Sequence, residues 1–500
     1  MKIALPKRIS LEDFTRLLEK DIILNVGEEG KDKVRKANEV VTKAVEEGMV
    51  IYGVTTGFGS LYNKVIPKKD LKKLQENLIL SHSCGVGKSL DLDITRGAML
   101  ILINSLAKGY SGVKLETIES LVKLYNNNAT PIVPEKGSLG ASGDLVPSAH
   151  MISTLIGHGD INFNNYVLPS TYILKMLNIK PLDLDAKEGL ALINNTNFIS
   201  SIAASNSYYS DKLAKIADIA AALSFEAFCG NIDSLDLRLH NVRNHYFQGA
   251  VAGNIRSLIG KSEILENSIK NLQDPYSIRC ISQIHAPSKD YIRYISQNVE
   301  DEINGITDNP IIIDDEIISG GNFHGQYIAM SMDFLSIALS NLGNVSQTRI
   351  AQIINCNTLP KNLILDGGLN SGFMIPHYVA VALVNENKVF SHPASVDSIP
   401  VAGNQEDYVS MGMTSALKSR KILENVENII AIELLTACQA LDFRKFKPGE
   451  GTKVVYDLIR ESIEFLKEDR SLHYDIKKVY NLIHSGLIYN AVKKEIGGII

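Results

Sequence analysis

The stretch GSLGASGDLVPSAH, Gly137 to His150, packs three glycines, three serines and an aspartate into fourteen residues and holds no Lys or Arg. A glycine-rich turn ahead of an apolar segment often cradles a phosphate, because exposed backbone N–H groups and the dipole of the following helix both favour negative charge. Without a cation nearby, that use is poorly served here. The other chemistry open to these residues is a reaction of the turn itself. If the Gly143 amide nitrogen is brought onto the Ala141 carbonyl carbon, a five-membered ring can close, and Gly at 143 lowers the steric barrier to so tight a turn. Loss of water from the ring and from Ser142 then leaves a conjugated exocyclic methylene, a strong electrophile that needs no external cofactor. The plain alternative is an ordinary turn before a helix.

Other reactive patterns fail on their physical requirements. GASGD lacks the last glycine of a G-x-S-x-G nucleophile elbow, and neither G-x-x-x-x-G-K-[ST] nor H-E-x-x-H occurs. The closest histidine pair, His240 and His245, is five apart and would not share a helix face, so no metal site is expected.

These residues need elements to hold them. Leu335, Ala338, Leu339, Leu342, Val345, Ile350 and Ile353 recur at steps near three and four, which predicts a long helix. Leu423, Val426, Ile430 and Leu434 predict a second. Apolar residues over more than one stripe suit helices enclosed by neighbours, so a helical bundle is the expected architecture. The first part is more broken, with β-branched stretches such as DIILNV and GMVIYGVTTGFGS among glycines. The expected fold is mainly α: a long central bundle over 111–500, with a smaller mixed α/β part over 1–110 carrying Tyr52 and His82. Glycine and asparagine clusters interrupt the helical segments at YGVTTGFGS, GSLGASGD, INNTN, NLQDPYS, TDNP, SGGNFHG and AGNQEDY, and such loops on rigid helices are where sites are usually built.

Composition narrows the class. Among 500 residues, 45% are hydrophobic and 21% charged, and the formal net charge of −5 offers no basic surface for nucleic acid. Five cysteines lie far apart with no C-x-x-C pair, which suits a reducing, cytoplasmic compartment. The start, MKIALPKRISLEDF, is too short in apolar residues for a secretory segment. The longest uncharged run, Gly367 to Asn385, contains Gly, Asn, Pro and His and is read as buried core, not as a membrane span.

The ordered motifs YGVTTGFG, LSHSCGVG, GSLGASGDL, DPYSIRC, DNP, SGGNFH, NSGFM, SHPASVDS and NQEDYVSM, from about Ile51 to Leu441, resemble the aromatic amino acid ammonia-lyase family. In that family Ala-Ser-Gly cyclises to 4-methylidene-imidazol-5-one (MIO), on a helical fold shared with fumarase-like lyases. The resemblance implies that Ala141, Ser142 and Gly143 form MIO, with Asp144 in the same signature. It implies that Tyr52 removes the β-proton, that Tyr276 is a second essential tyrosine, and that Arg279 holds the substrate carboxylate with Asn194 and Gln273 in support. Phe323 would pack close to the ring. A planar guanidinium can pair with both carboxylate oxygens. A tyrosinate base calls for a positive environment, such as converging helix N-termini, because tyrosine starts near pKa 10. A homotetramer is implied, with loops from more than one subunit completing each site.

Substrate choice should lie in groups facing the side-chain ring. Where phenylalanine-specific members carry Phe-Leu and tyrosine-specific members His-Leu, this chain reads Ser81-His82, similar to the histidine-specific members. Glu406 stands where the phenylalanine and tyrosine enzymes usually carry an amide, and a benzene ring would leave its carboxylate unpaired. The expected reaction is elimination of ammonia from L-histidine to trans-urocanate, with no external cofactor. Asn195, Asn197 and His285 depart from the family pattern. A phenylalanine or tyrosine lyase, a 2,3-aminomutase, a fumarase-like lyase without the prosthetic group and a non-catalytic helical scaffold stay open as alternatives.

Overall fold

The computed structural model describes residues 1–269 and 271–500. The chain divides into two compact units, one of Met1–Tyr208, Ser296–Asp333 and Pro393–Leu417, the other of Tyr209–Ile295, Phe334–His392 and Lys418–Ile500. Four of the five boundaries fall inside long helices, Asn197–Phe228, Ile281–Ile303, Gln326–Ile354 and Gly412–Leu441, and the fifth follows His392. Two of these are the helices that the apolar spacing predicts. In Gly412–Leu441 the successive residues Ile429, Ile430, Ala431 and Ile432 are all at 0% exposure, the signature of a helix enclosed on every side.

The first unit holds all the sheet structure among the described residues. Lys2–Leu5 pairs in parallel with Ile23–Val26, where DIILNV forms the expected strand. Val86–Ser89 pairs antiparallel with Pro134–Lys136, Thr130–Pro131, Asp160–Phe163 and Tyr166–Pro169 make a three-stranded sheet, and Ile311–Ile313 turns back on Glu316–Ile318. GMVIYGVTTGFGS is β-rich in composition yet forms turns with a single bridge, Thr56 to Val65. Its threonines take over the backbone's hydrogen bonds. Thr55 Oγ1 donates to Met49 O at 2.8 Å and accepts from Ile51 N–H, and Thr56 Oγ1 accepts from Gly53 N–H at 3.1 Å. That local satisfaction curls the chain at Tyr52 instead of extending it.

Among its described residues the second unit is helical in all its regular segments. The run Gly367–Asn385 departs from the expectation of buried core. Its helix, Met374–Phe390, buries Pro376, Ala380, Val384 and Asn387, while Ile375 (49% exposed) and Tyr378 (62%) face outward. Apolar residues on every side of a helix predict that it is covered, but they do not say by what, and this chain covers only one stripe. No helix among the described residues is long and apolar enough to cross a membrane.

Candidate active site

The site grows from the turn at Ala141–Gly143 in the first unit. Gly143 has φ +71°, and a Cβ there would lie 2.2 Å from Asn195 O, so only glycine fits. Asp144 N–H donates to the same Asn195 oxygen at 2.6 Å. The Asp144 carboxyl is fully buried, accepting from Ser138 Oγ at 2.8 Å and from Ile199 N–H, in the first turn of the helix Asn197–Phe228, at 2.8 Å. Burial pushes this carboxyl up to about 7, against the lowering effect of those donors. Behind the turn, Gly140 O accepts from Ser410 Oγ at 2.9 Å, and Met411 N–H donates to Leu139 O at 2.8 Å. The Gly137–Asp144 segment is thus clamped at both ends.

Two side chains hold the central serine. Asn194 Nδ2 donates to Ser142 O at 2.8 Å, and Ser142 Oγ donates to Glu406 Oε1 at 3.1 Å. They open onto a cavity of about 490 Å³ whose walls include Tyr52, Ser142, Asn194, Phe323, His324 and Glu406. Four segments distant in sequence, Tyr52, Ala141–Ser142, Phe323 and Glu406, are thereby brought together.

The electrostatics around Tyr52 differ from the expected positive environment. Burial raises the pKa of its phenol, and the charge of Glu406 raises it further, while the Gly59 N–H donated to Tyr52 Oη at 3.3 Å works in the opposite direction. His82 closes the helix Leu71–His82 and stands outside the lining of this cavity. Its Nδ1 lies 2.8 Å from Leu78 O, and since a carbonyl only accepts, Nδ1 carries the proton and Nε2 is left as an acceptor. Burial lowers the pKa of His82, against the opposite pull of Glu406, so the ring favours its neutral form.

Gln273, Tyr276 and Arg279 form a cluster of their own in the second unit. Arg279 Nη1 donates to Gln273 Oε1, and the guanidinium carbon lies 4.8 Å from the centre of the Tyr276 ring. Arg279 Nε is buried and has no partner among the described residues, and Tyr276 is 69% exposed. A guanidinium with a spare donor next to an outward phenol is suited to an anion that also carries a ring.

Asn195, Asn197 and His285 do not line the cavity. Asn195 Oδ1 accepts from Ser148 Oγ and from Asn197 N–H, so its side chain is consumed behind the turn. His285, in the second unit, lies 2.7 Å from Asp218 Oδ1 and 3.2 Å from Arg349 Nη1 at 0% exposure. Sequence reasoning missed Tyr62, Asn309, Ser319, His324, Gln405 and Tyr408, which also line the cavity. All but Tyr62 fall in or beside the clusters TDNP, SGGNFHG and AGNQEDY, so the clusters gave the signal without naming the member.

The turn, the carboxylate and the phenol that face one cavity are suited to an enzyme acting on a small molecule. The sequence matches the family described as aromatic amino acid lyase over residues 9–461. It is 46% identical over 496 residues to the histidine ammonia-lyase of Alkaliphilus oremlandii, covering 98% of each chain. The crystal structure of histidine ammonia-lyase from Trypanosoma cruzi superposes with a TM-score of 0.92 at 39% identity, covering 99% of this chain and 95% of that one. A tyrosine aminomutase from Streptomyces globisporus superposes with a TM-score of 0.94 at 33% identity, covering 99% of both. The chain belongs to the aromatic amino acid lyase family.

Proposed function

We propose that the chain removes ammonia from L-histidine to give trans-urocanate, using MIO formed from Ala141, Ser142 and Gly143. The observation that carries the reading is Glu406, a carboxylate 3.1 Å from Ser142 Oγ inside the cavity. An imidazole N–H can satisfy that carboxylate, whereas a benzene ring would leave it desolvated and unpaired at a cost of about 1–3 kcal/mol. The names of full-length relatives such as that of Alkaliphilus oremlandii support the same substrate.

The residues present fit the prosthetic group. Gly143 has no room for a side chain, and Asn194 Nδ2 is already directed at Ser142 O, the carbonyl that would stay in the ring. The closed ring supplies an electrophilic methylene that makes the substrate amine a better leaving group. Asn194 steadies negative charge at the Ser142 oxygen. Tyr52 takes the β-proton, and because burial, and then the charge of Glu406, hold its own proton on, it needs a cationic neighbour to act as a base. Arg279 pairs with the substrate carboxylate, Gln273 orients Arg279, and Tyr276 is the second essential tyrosine. His82, which senses the charge of Glu406 from outside the cavity lining, is the proposed partner of the imidazole, and Phe323 packs against the ring side.

The site is completed in a homotetramer, in the cytoplasm and without an external cofactor or metal. Support for the assembly comes from the outward apolar residues of two helices. Tyr327, Met330, Phe334 and Ile337 on Gln326–Ile354 are 41–72% exposed, and Ile375, Tyr378, Val379 and Val381 are 43–62% exposed. A second reading, a 2,3-aminomutase that returns ammonia to the β-carbon, has the likeness to the tyrosine aminomutase in its favour. Product analysis after incubation with L-histidine, L-phenylalanine and L-tyrosine tests both. Urocanate is the expected product; β-histidine supports the mutase, and cinnamate or coumarate would move the substrate.

A further inference from the structure

The six-residue helix Glu188–Ile193 has no part in the proposed chemistry, yet each of its ends is fixed by buried polar bonds. At its start Lys187 adopts φ +72°, an unfavourable conformation for a residue with a side chain. Its ammonium is at 0% exposure and lies 2.8 Å from Asp308 Oδ2, itself 3% exposed. Glu188, also fully buried, accepts from Thr117 Oγ1 at 2.6 Å and from Lys114 N–H at 3.0 Å. At the far end is Asn194, whose side chain holds Ser142 O, followed by Asn195, whose backbone encloses Gly143.

The middle of the helix bears on Tyr52. A Cβ on Gly53 would lie 2.3 Å from Leu190 Cδ2, and Gln75 bridges the two segments, accepting from Leu190 N–H at 3.1 Å and donating to Gly53 O at 3.4 Å. On the other side of the ion pair, Asp308 Oδ1 accepts from Asn309 N–H at 2.6 Å. Asn309 Oδ1 in turn accepts from Gly320 N–H at 2.6 Å and from Ser319 Oγ at 3.2 Å. Asn309, Ser319, Gly320, Phe323 and His324 line the cavity.

We propose that Lys187 is a positioning residue of the active site: its buried bond to Asp308 sets the helix that carries Asn194 and supports the Tyr52 turn against the wall formed by Ser319 to His324. A buried ion pair is weak evidence for stability, since apolar groups of like volume often serve the fold as well or better. Its cost, added to the strain at Lys187, is accounted for by what it aligns. A shift of about 1 Å between groups that face one substrate costs on the order of 100-fold in rate. The inference rests on the proposed reaction only for the choice of substrate.

The test is the double variant Lys187→Met with Asp308→Asn, which removes both charges while leaving a side-chain amide oxygen at position 308 to accept from the Asn309 N–H. Its thermal midpoint and its intact mass, which reports ring closure, are expected to match the parent. Its kcat on L-histidine is expected to fall about 100-fold with KM within about 3-fold. Asn309→Ala, which breaks the next link, should reproduce the kcat loss. Parental kcat in the double variant overturns the proposal, as does a kcat loss that appears only together with a lost ring mass or a lowered midpoint. Should the parent turn over a different amino acid, the substrate reading fails and the same comparison is made on that substrate.

Discussion

Ser142 Oγ donates to Glu406 Oε1 across 3.1 Å although the two residues are 264 positions apart. The contact places a carboxylate beside the hydroxyl that formation of the methylene must remove, and Tyr52 and His82 both respond to its charge. Glu406→Gln keeps the shape and a polar contact to Ser142 but removes the charge. Its kcat/KM on L-histidine is expected to fall about 10- to 100-fold, the worth of one charge-assisted hydrogen bond of about 1.5–3 kcal/mol. On L-phenylalanine, kcat/KM should hold or rise. Steady-state kinetics on both substrates decide it, since an equal loss on both means that the carboxylate does not read the ring.

Tyr52→Phe removes the proposed base and little else. Among the described residues, the hydrogen bond it gives up is the long one from Gly59 N–H, at 3.3 Å. The thermal midpoint should stay near the parent's, while kcat falls about 100- to 10,000-fold, the usual range for a lost general base. A variant with normal turnover would remove Tyr52 from the proposed role.

Glu226 in the second unit makes stability depend on pH. Its Oε1 accepts from Gly449 N–H at 2.7 Å, and burial pushes the carboxyl from 4.5 up to about 7. The unfolded chain releases this proton near pH 4.5 and the folded chain only near 7, so the stabilising contribution is full below 4.5 and lost as the pH rises through 7. Glu226→Gln is neutral throughout and should flatten the fall in thermal midpoint between about pH 4.5 and 7. Asp144, also raised to about 7, keeps part of the slope in the variant. An unchanged slope would rule out Glu226 as a source.

The outward face of Met374–Phe390 is expected to lie against another copy of the chain. Tyr378→Asp places a charge where a 62% exposed aromatic ring now stands. Light scattering should show species smaller than the proposed tetramer, and activity should fall with the assembly, as the proposed sharing of each site between subunits requires. A fully active monomer would contradict this.

The sequence announced the long helices because their apolar spacing is set by the helix period, and it singled out the turn that lines the cavity because few common uses suit Gly137 to His150 without a cation. It pointed to Phe323 but not to its neighbour His324, since nothing local distinguishes a ring that lines a cavity from one that packs a core. Lys187 was silent because a lysine's burial is decided by Asp308, more than a hundred positions away. The helix Met374–Phe390 was misjudged for a related reason: hydropathy reports the wish to be covered, and within this chain only one stripe of the helix is. Tyr52 shows the same limit in electrostatics, as its motif suggests a base while burial and then the charge of Glu406, both set by distant residues, oppose its ionisation.

The backbone at Ala141 to Gly143 is itself the proposed reagent, and the intact mass of the denatured, purified protein tests this most directly. The expected result is a parent chain lighter than its sequence by two waters and a Ser142→Ala chain that retains at least one of them. A parent chain at its full sequence mass would contradict it.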